Sequence, residues 1–109
     1  MSLDQLIAVI ESATYVGRGY HIYDISDITK ARAKDALLYF FLHELPLPEA
    51  KGYTDDSILF NWSFNSDCEV DYIVGEDSND LHVTCYNAEA DVVIDSAISF
   101  MRSLDASHR

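Results

Sequence analysis

The sequence predicts an α+β domain, a two-layer sandwich in the order α-α-β-β-β-α, in which a three-stranded antiparallel meander packs against helices. Two observations predict it. Between residues 57 and 86, three stretches alternate apolar and polar side chains with period two and are separated by short polar segments. On either side of them, apolar residues recur at helical spacing. The chain has 109 residues, 49% hydrophobic and 12% aromatic, which argues for one folded domain, 1–109, rather than disorder.

Taken in order, Ser2 and Gln5 have the spacing of a capping box, and Asp4 suits the positive end of the helix dipole. Leu3, Leu6, Ile7, Ile10 and Ala13 supply the apolar face, and Gly17 is expected to end this first helix. Gly17 to Asp24 is irregular, with Tyr20 and Ile22 permitting a short extended segment. The Gly17-Arg18-Gly19 step lacks the third glycine and preceding strand of a phosphate loop, so its glycines read as linker residues.

A second helix is expected from an N-cap at Ser26 or Asp27 to about Glu44. Ala33, Ala36, Leu37, Phe40 and Phe41 form its stripe, and Leu38, Leu42 and Leu45 widen it around the cylinder. So apolar a helix is either central to the core or offers a contact surface. Lys30, Arg32 and Lys34 lie in its first turns and with Arg18 make the internal basic cluster. Pro46 and Pro48 stop the helix, and residues 46–56 read as a linker.

The meander places Ile58, Phe60, Trp62 and Phe64, then Cys68, Val70, Tyr72 and Val74, then Leu81, Val83 and Cys85 on one face. With turns at Asn65–Asp67 and Gly75–Asp80, the expected rows are Ile58/Val74/Leu81, Phe60/Tyr72/Val83 and Trp62/Val70/Cys85. In that register Cys85 lies opposite Val70 and not Cys68, so a disulfide needs a shifted pairing, and both cysteines read as buried thiols. The other face carries Leu59, Asn61, Ser63, Glu69, Asp71, Ile73, His82, Thr84 and Tyr86. A third helix follows from Asn87, with Ala90, Val93, Ile94, Ala97, Ile98, Met101 and Leu104 at spacings of 3 and 4.

The net charge is −12. From 52 to 101 there are eleven acids and no lysine or arginine, whereas the first 50 residues hold seven acids against four cations. A field of this sign repels nucleic acid and anionic membranes and attracts basic surfaces. The longest uninterrupted apolar run, Ala36 to Leu42, is far short of the roughly 20 residues of a membrane span. With no basic segment leading into an apolar one at the N-terminus, a soluble cytoplasmic protein is expected.

No catalytic, cofactor or metal motif is evident. His21, His43, His82 and His108 are not paired at ligand spacing, and His43-Glu44 lacks the second histidine of H-E-x-x-H. Glu69 and Asp71 share a strand face about 7 Å apart, with His82 beside Asp71 or Ile73, but neither a nucleophile elbow nor an oxyanion loop accompanies Ser63 or Thr84. The set reads as a solvated acidic face. Tyr20, Tyr23, Tyr39, Tyr53 and Tyr86 suit a protein-binding surface as well as partial burial.

The stretch LPLPEAKGYTDDSILFNW is similar to a segment of uncharacterised small bacterial and phage proteins, in which a proline pair precedes a strand containing tryptophan. In size and acidity the chain resembles phage-encoded inhibitors of host defence, of the anti-CRISPR and anti-restriction types. The resemblance implies a non-enzymatic acidic binding protein that blocks the basic nucleic-acid-binding surface of a larger defence protein, without binding nucleic acid itself. It assigns no residue. From charge, and for the tyrosine from its place on the same outer face, Asp55, Asp56, Glu69, Asp71, Glu76, Asp77, Asp80 and Tyr86 are the candidate partner-binding set. The alternative is a structural, regulatory or antitoxin-like subunit acting through a homodimer or partner interface at Leu38, Leu42 and Leu45. A small enzyme or ligand-binding protein using Glu69, Asp71 and His82 is the third class.

Overall fold

The computed structural model describes residues 2–42, 47–63 and 68–85. Helix α1 (Leu3–Glu11) begins with the expected capping box: Gln5 N–H donates to Ser2 Oγ at 3.2 Å, and Ser2 N–H to Gln5 Oε1 at 2.7 Å. It ends at Ser12, well before Gly17, because the chain turns into a short hairpin. Strand β1 (Thr14–Val16) pairs antiparallel with β2 (Ile22–Asp24) around a single 3-10 turn at Arg18–Tyr20. Gly19 in that turn has φ 71°, the left-handed conformation that glycine adopts without steric cost.

Helix α2 (Asp27–Leu42) follows, then β3 (Glu49–Tyr53), β4 (Ser57–Ser63), β5 (Cys68–Val74) and β6 (Asn79–Cys85), antiparallel neighbours in that order. The α+β class holds, but the order α-α-β-β-β-α is wrong. The described elements run α-β-β-α-β-β-β-β, with a two-stranded and a four-stranded sheet in place of one three-stranded meander. The third helix expected from Asn87 lies outside the described residues.

The missing strand, β3, is the segment read as a linker. Its inward positions are Ala50 and Gly52, opposite Phe60 and Ile58, so it shows no apolar alternation. The small side chains are required by what lies above them. A Cβ on Gly52 would stand 1.9 Å from the carbonyl oxygen of Thr14, which is how closely β1 crosses β3.

The β4/β5 register matches the expected one: Ile58, Phe60 and Trp62 face Val74, Tyr72 and Val70. The turn proposed at Asn65–Asp67 lies outside the described residues. The β5/β6 register differs by two, with Tyr72 opposite Leu81, Val70 opposite Val83, and Val74 opposite Asn79. The connection is shorter than expected, closing as Gly75–Ser78 with Gly75 N–H donating to Ser78 O at 2.8 Å. Asn79 therefore belongs to the strand and is only 3% exposed. A shift of two leaves every side chain on its face.

One core joins both helices to the inner face of the large sheet. Leu6 and Ile10 of α1, Ala33, Ala36, Leu37 and Phe40 of α2, and Ile58, Phe60, Trp62, Val70, Tyr72 and Val74 of the sheet are buried together. Phe40 is its hub, meeting Phe60, Trp62 and Tyr72 edge to face at centroid distances of 5.6, 4.8 and 5.7 Å, an arrangement that aromatic quadrupoles favour.

Candidate functional site: an acidic end of the sheet

Antiparallel order brings the β3–β4 and β5–β6 turns to the same end of the sheet. Of the candidate residues, Asp55, Glu76, Asp77 and Asp80 gather there, and all four are exposed. Between the turns lies a shallow groove of about 240 Å³ lined by Tyr53, Asp55, Ser57, Ile73, Ser78 and Asp80. Asp55 and Asp56 both have positive φ, 57° and 56°, a conformation that Asp tolerates better than most residues. These consecutive left-handed residues make the tight β3–β4 turn.

Asp56 is half-buried and bonded into the fold. Its Oδ1 accepts the Ser26 N–H at 2.7 Å, and Thr29 Oγ1 donates to its carbonyl at 3.3 Å and its Oδ2 at 3.4 Å. The carboxylate thus sits at the N-terminus of α2, where the helix dipole favours a negative charge, and ties the turn to the helix. Ser26 completes the cap by accepting the Thr29 N–H at 3.3 Å.

Glu69 and Asp71 lie further along the outer face. Asp71 is half-buried and its Oδ1 accepts from Asn61 Nδ2 at 2.6 Å, while exposed Glu69 is reached by the Ser63 hydroxyl at 3.4 Å. Register places Glu49, Asn61, Asp71 and His82 in one row across four strands. His82 is exposed, so the row is a solvated polar ladder rather than an enclosed acid–base pair. Lys51 joins Glu49, Tyr53, Leu59, Asn61 and Asp71 around a second depression of about 450 Å³, whose floor residue Leu59 is 8% exposed. Tyr86 lies outside the described residues. Among the described residues, no group of three or more His, Cys, Asp or Glu is arranged to hold a metal, and no helix is long and apolar enough to cross a membrane.

The basic cluster of α2 is used inside the fold. Lys34 pairs with the Glu11 carboxylate, and Lys30 Nζ donates to the Glu11 carbonyl at 2.8 Å, so both hold α2 to the C-terminal end of α1. The hydrogen bond and charge of Lys34 hold the exposed Glu11 carboxyl below its ordinary pKa. Arg32 reaches the β5–β6 turn, donating to the Glu76 carbonyl at 3.3 Å and to Asn79 Oδ1 at 2.8 Å, while Asn79 Nδ2 donates to Tyr72 OH at 3.0 Å. These bonds fix the turn from behind through carbonyl and amide oxygens, leaving Glu76 and Asp77 projecting into water.

The apolar belt of α2 is divided. Thr29, Ala33, Ala36, Leu37 and Phe40 are buried, whereas Leu38, Phe41 and Leu42 are 44, 51 and 72% exposed.

Comparison with protein-family models, curated proteins and solved structures gives no match.

Proposed function

We propose that this chain is a non-enzymatic binding protein whose acidic sheet end docks on the basic, nucleic-acid-binding surface of a larger protein and occludes it. The observation that carries the reading is the convergence of Asp55, Glu76, Asp77 and Asp80 on two adjacent turns, in a stretch with no lysine or arginine from 52 to 101. Lys30, Arg32 and Lys34 are bound to other parts of the fold. Carboxylates on hydrogen-bonded turns gather negative charge at one place, which speeds encounter with a basic groove and makes it sensitive to salt. A protein of host defence is the partner class that the resemblance in size and acidity implies.

The test is capture from host lysate by the wild-type chain and by the triple variant Glu76→Lys, Asp77→Lys, Asp80→Lys, with added duplex DNA or RNA as competitor. The expected partner is a nucleic-acid-binding protein, displaced by the competitor and lost with the variant. A partner retained equally by the variant contradicts the proposal.

A second reading rests on the exposed Leu38 and Leu42 of α2, joined there by Phe41; Leu45, expected in the same interface, lies outside the described residues. That face suits a homodimer or a regulatory subunit interface. Light scattering at high concentration decides it, since a strict monomer removes the homodimer.

A further inference from the structure

We infer that Cys68 and Cys85 are a redox pair that closes a disulfide across the last rung of β5 and β6. The shortened turn makes them directly opposed register partners at the end of the ladder. The kind of rung follows from the turn. Gly75 N–H donates to Ser78 O at 2.8 Å, which makes 75 and 78 a hydrogen-bonded pair. Hydrogen-bonded and non-hydrogen-bonded pairs alternate along an antiparallel ladder. Positions 68 and 85 lie seven residues further along their strands, an odd number, and so form a non-hydrogen-bonded pair.

At such a rung Cα atoms stand about 4.5 Å apart and side chains are closer than at the alternate type. A disulfide spans Cα separations of about 4.4–6.8 Å, so a rung of this kind falls within the range the bond can bridge. The same rung has no ladder hydrogen bond of its own. It is the outermost point at which β6, last in the sheet among the described residues, is held to β5 before the chain continues to residues 86–109.

The reaction is thiol–disulfide exchange with a small disulfide oxidant such as glutathione disulfide. One cysteine thiolate attacks the oxidant and releases one glutathione thiol. The second thiolate then attacks the mixed disulfide and releases the other. The protein's two thiols lose two protons and two electrons, and glutathione disulfide is reduced to two glutathiones. The product is a covalent staple on the sheet corner, removable by reduction.

The experiment equilibrates the full chain in graded glutathione buffers, maps cysteine linkages by mass spectrometry and records thermal melts. The expected result is a monomer lighter by about 2 Da, with one bond between peptides containing 68 and 85. Its melting midpoint rises by about 10 °C, and dithiothreitol reverses the change. Cys68→Ser and Cys85→Ser abolish the bond and the shift. Thiols that stay free throughout the series overturn the inference. So do mixed or intermolecular disulfides alone, a bond that forms only in urea, or one that lowers the midpoint. Because linkage is mapped on the wild-type chain, a serine variant that fails to fold leaves the test intact.

Discussion

Gly52→Ala is the sharpest perturbation of the fold that carries the acidic turns. The new Cβ would lie 1.9 Å from the oxygen, 2.8 Å from the carbon and 3.0 Å from the nitrogen of Thr14. These are backbone atoms and have no rotamer in which to retreat. Restoring an ordinary contact requires β1 and β3 to part by about 1 Å or more, which in a packed interior costs about 1–3 kcal/mol. Motion of β1 is resisted by its pairing with β2 and by the Ile25 N–H bond to Ala13 O at 3.2 Å. Removing a strand glycine returns roughly 0.5–1 kcal/mol of backbone entropy, so the expected net loss is about 1 kcal/mol. In urea, with a slope of about 1–2 kcal/mol/M for a chain of this size, the midpoint should fall by about 0.5–1 M. Gly75→Ala is the control, since its Cβ would meet nothing closer than Ser78 O at 3.4 Å, and it should leave the midpoint unchanged or slightly raised. Equal stability of the two variants would refute the close crossing of β1 over β3.

Two further outcomes follow from side chains that tie the elements together. Asp56→Ala removes the carboxylate at the start of α2 and should cost about 1–3 kcal/mol in urea unfolding; Asp56→Gly, which accepts the φ of 56° without strain, should recover about 1 kcal/mol of that loss. In an NMR titration, the Glu11 carboxyl should protonate below the ordinary glutamate range, and Lys34→Met should move it back up. Because the folded-state pKa is lowered, the pair's stabilisation is present above the ordinary glutamate pKa and is lost as pH falls through the lowered value. The effect on stability should be slight, since both partners reach water.

What the sequence shows and what it hides divide along physical lines. The capping box at Ser2 and Gln5 and the β4/β5 register are legible because each depends on local pattern: a three-residue spacing in one, alternation of large apolar side chains in the other. Strand β3 is hidden because its inner residues, Ala50 and Gly52, are small to admit β1, a demand set by a segment almost 40 residues earlier. Asn79 reads as part of a turn because an amide inside a strand pattern has no local reason to be buried. Its reasons are Arg32 and Tyr72, which only the tertiary fold supplies. That one residue carries the two-residue error in β6, and with it the relation between the cysteines. The acidic stretch is likewise plain as composition. Which acids converge is decided by the turns, which bring Asp55 beside Asp80 and turn Asp56 inward.

The most direct measurement of the central claim is site-specific photo-crosslinking in host lysate, with the reactive group placed at position 77 on the acidic end or at position 42 on the exposed face of α2. The expected result is a crosslink from 77 to a nucleic-acid-binding protein, weakened by salt, and none to that protein from 42. A crosslink from 42 alone, whether to another protein or to a second copy of the chain, would contradict it.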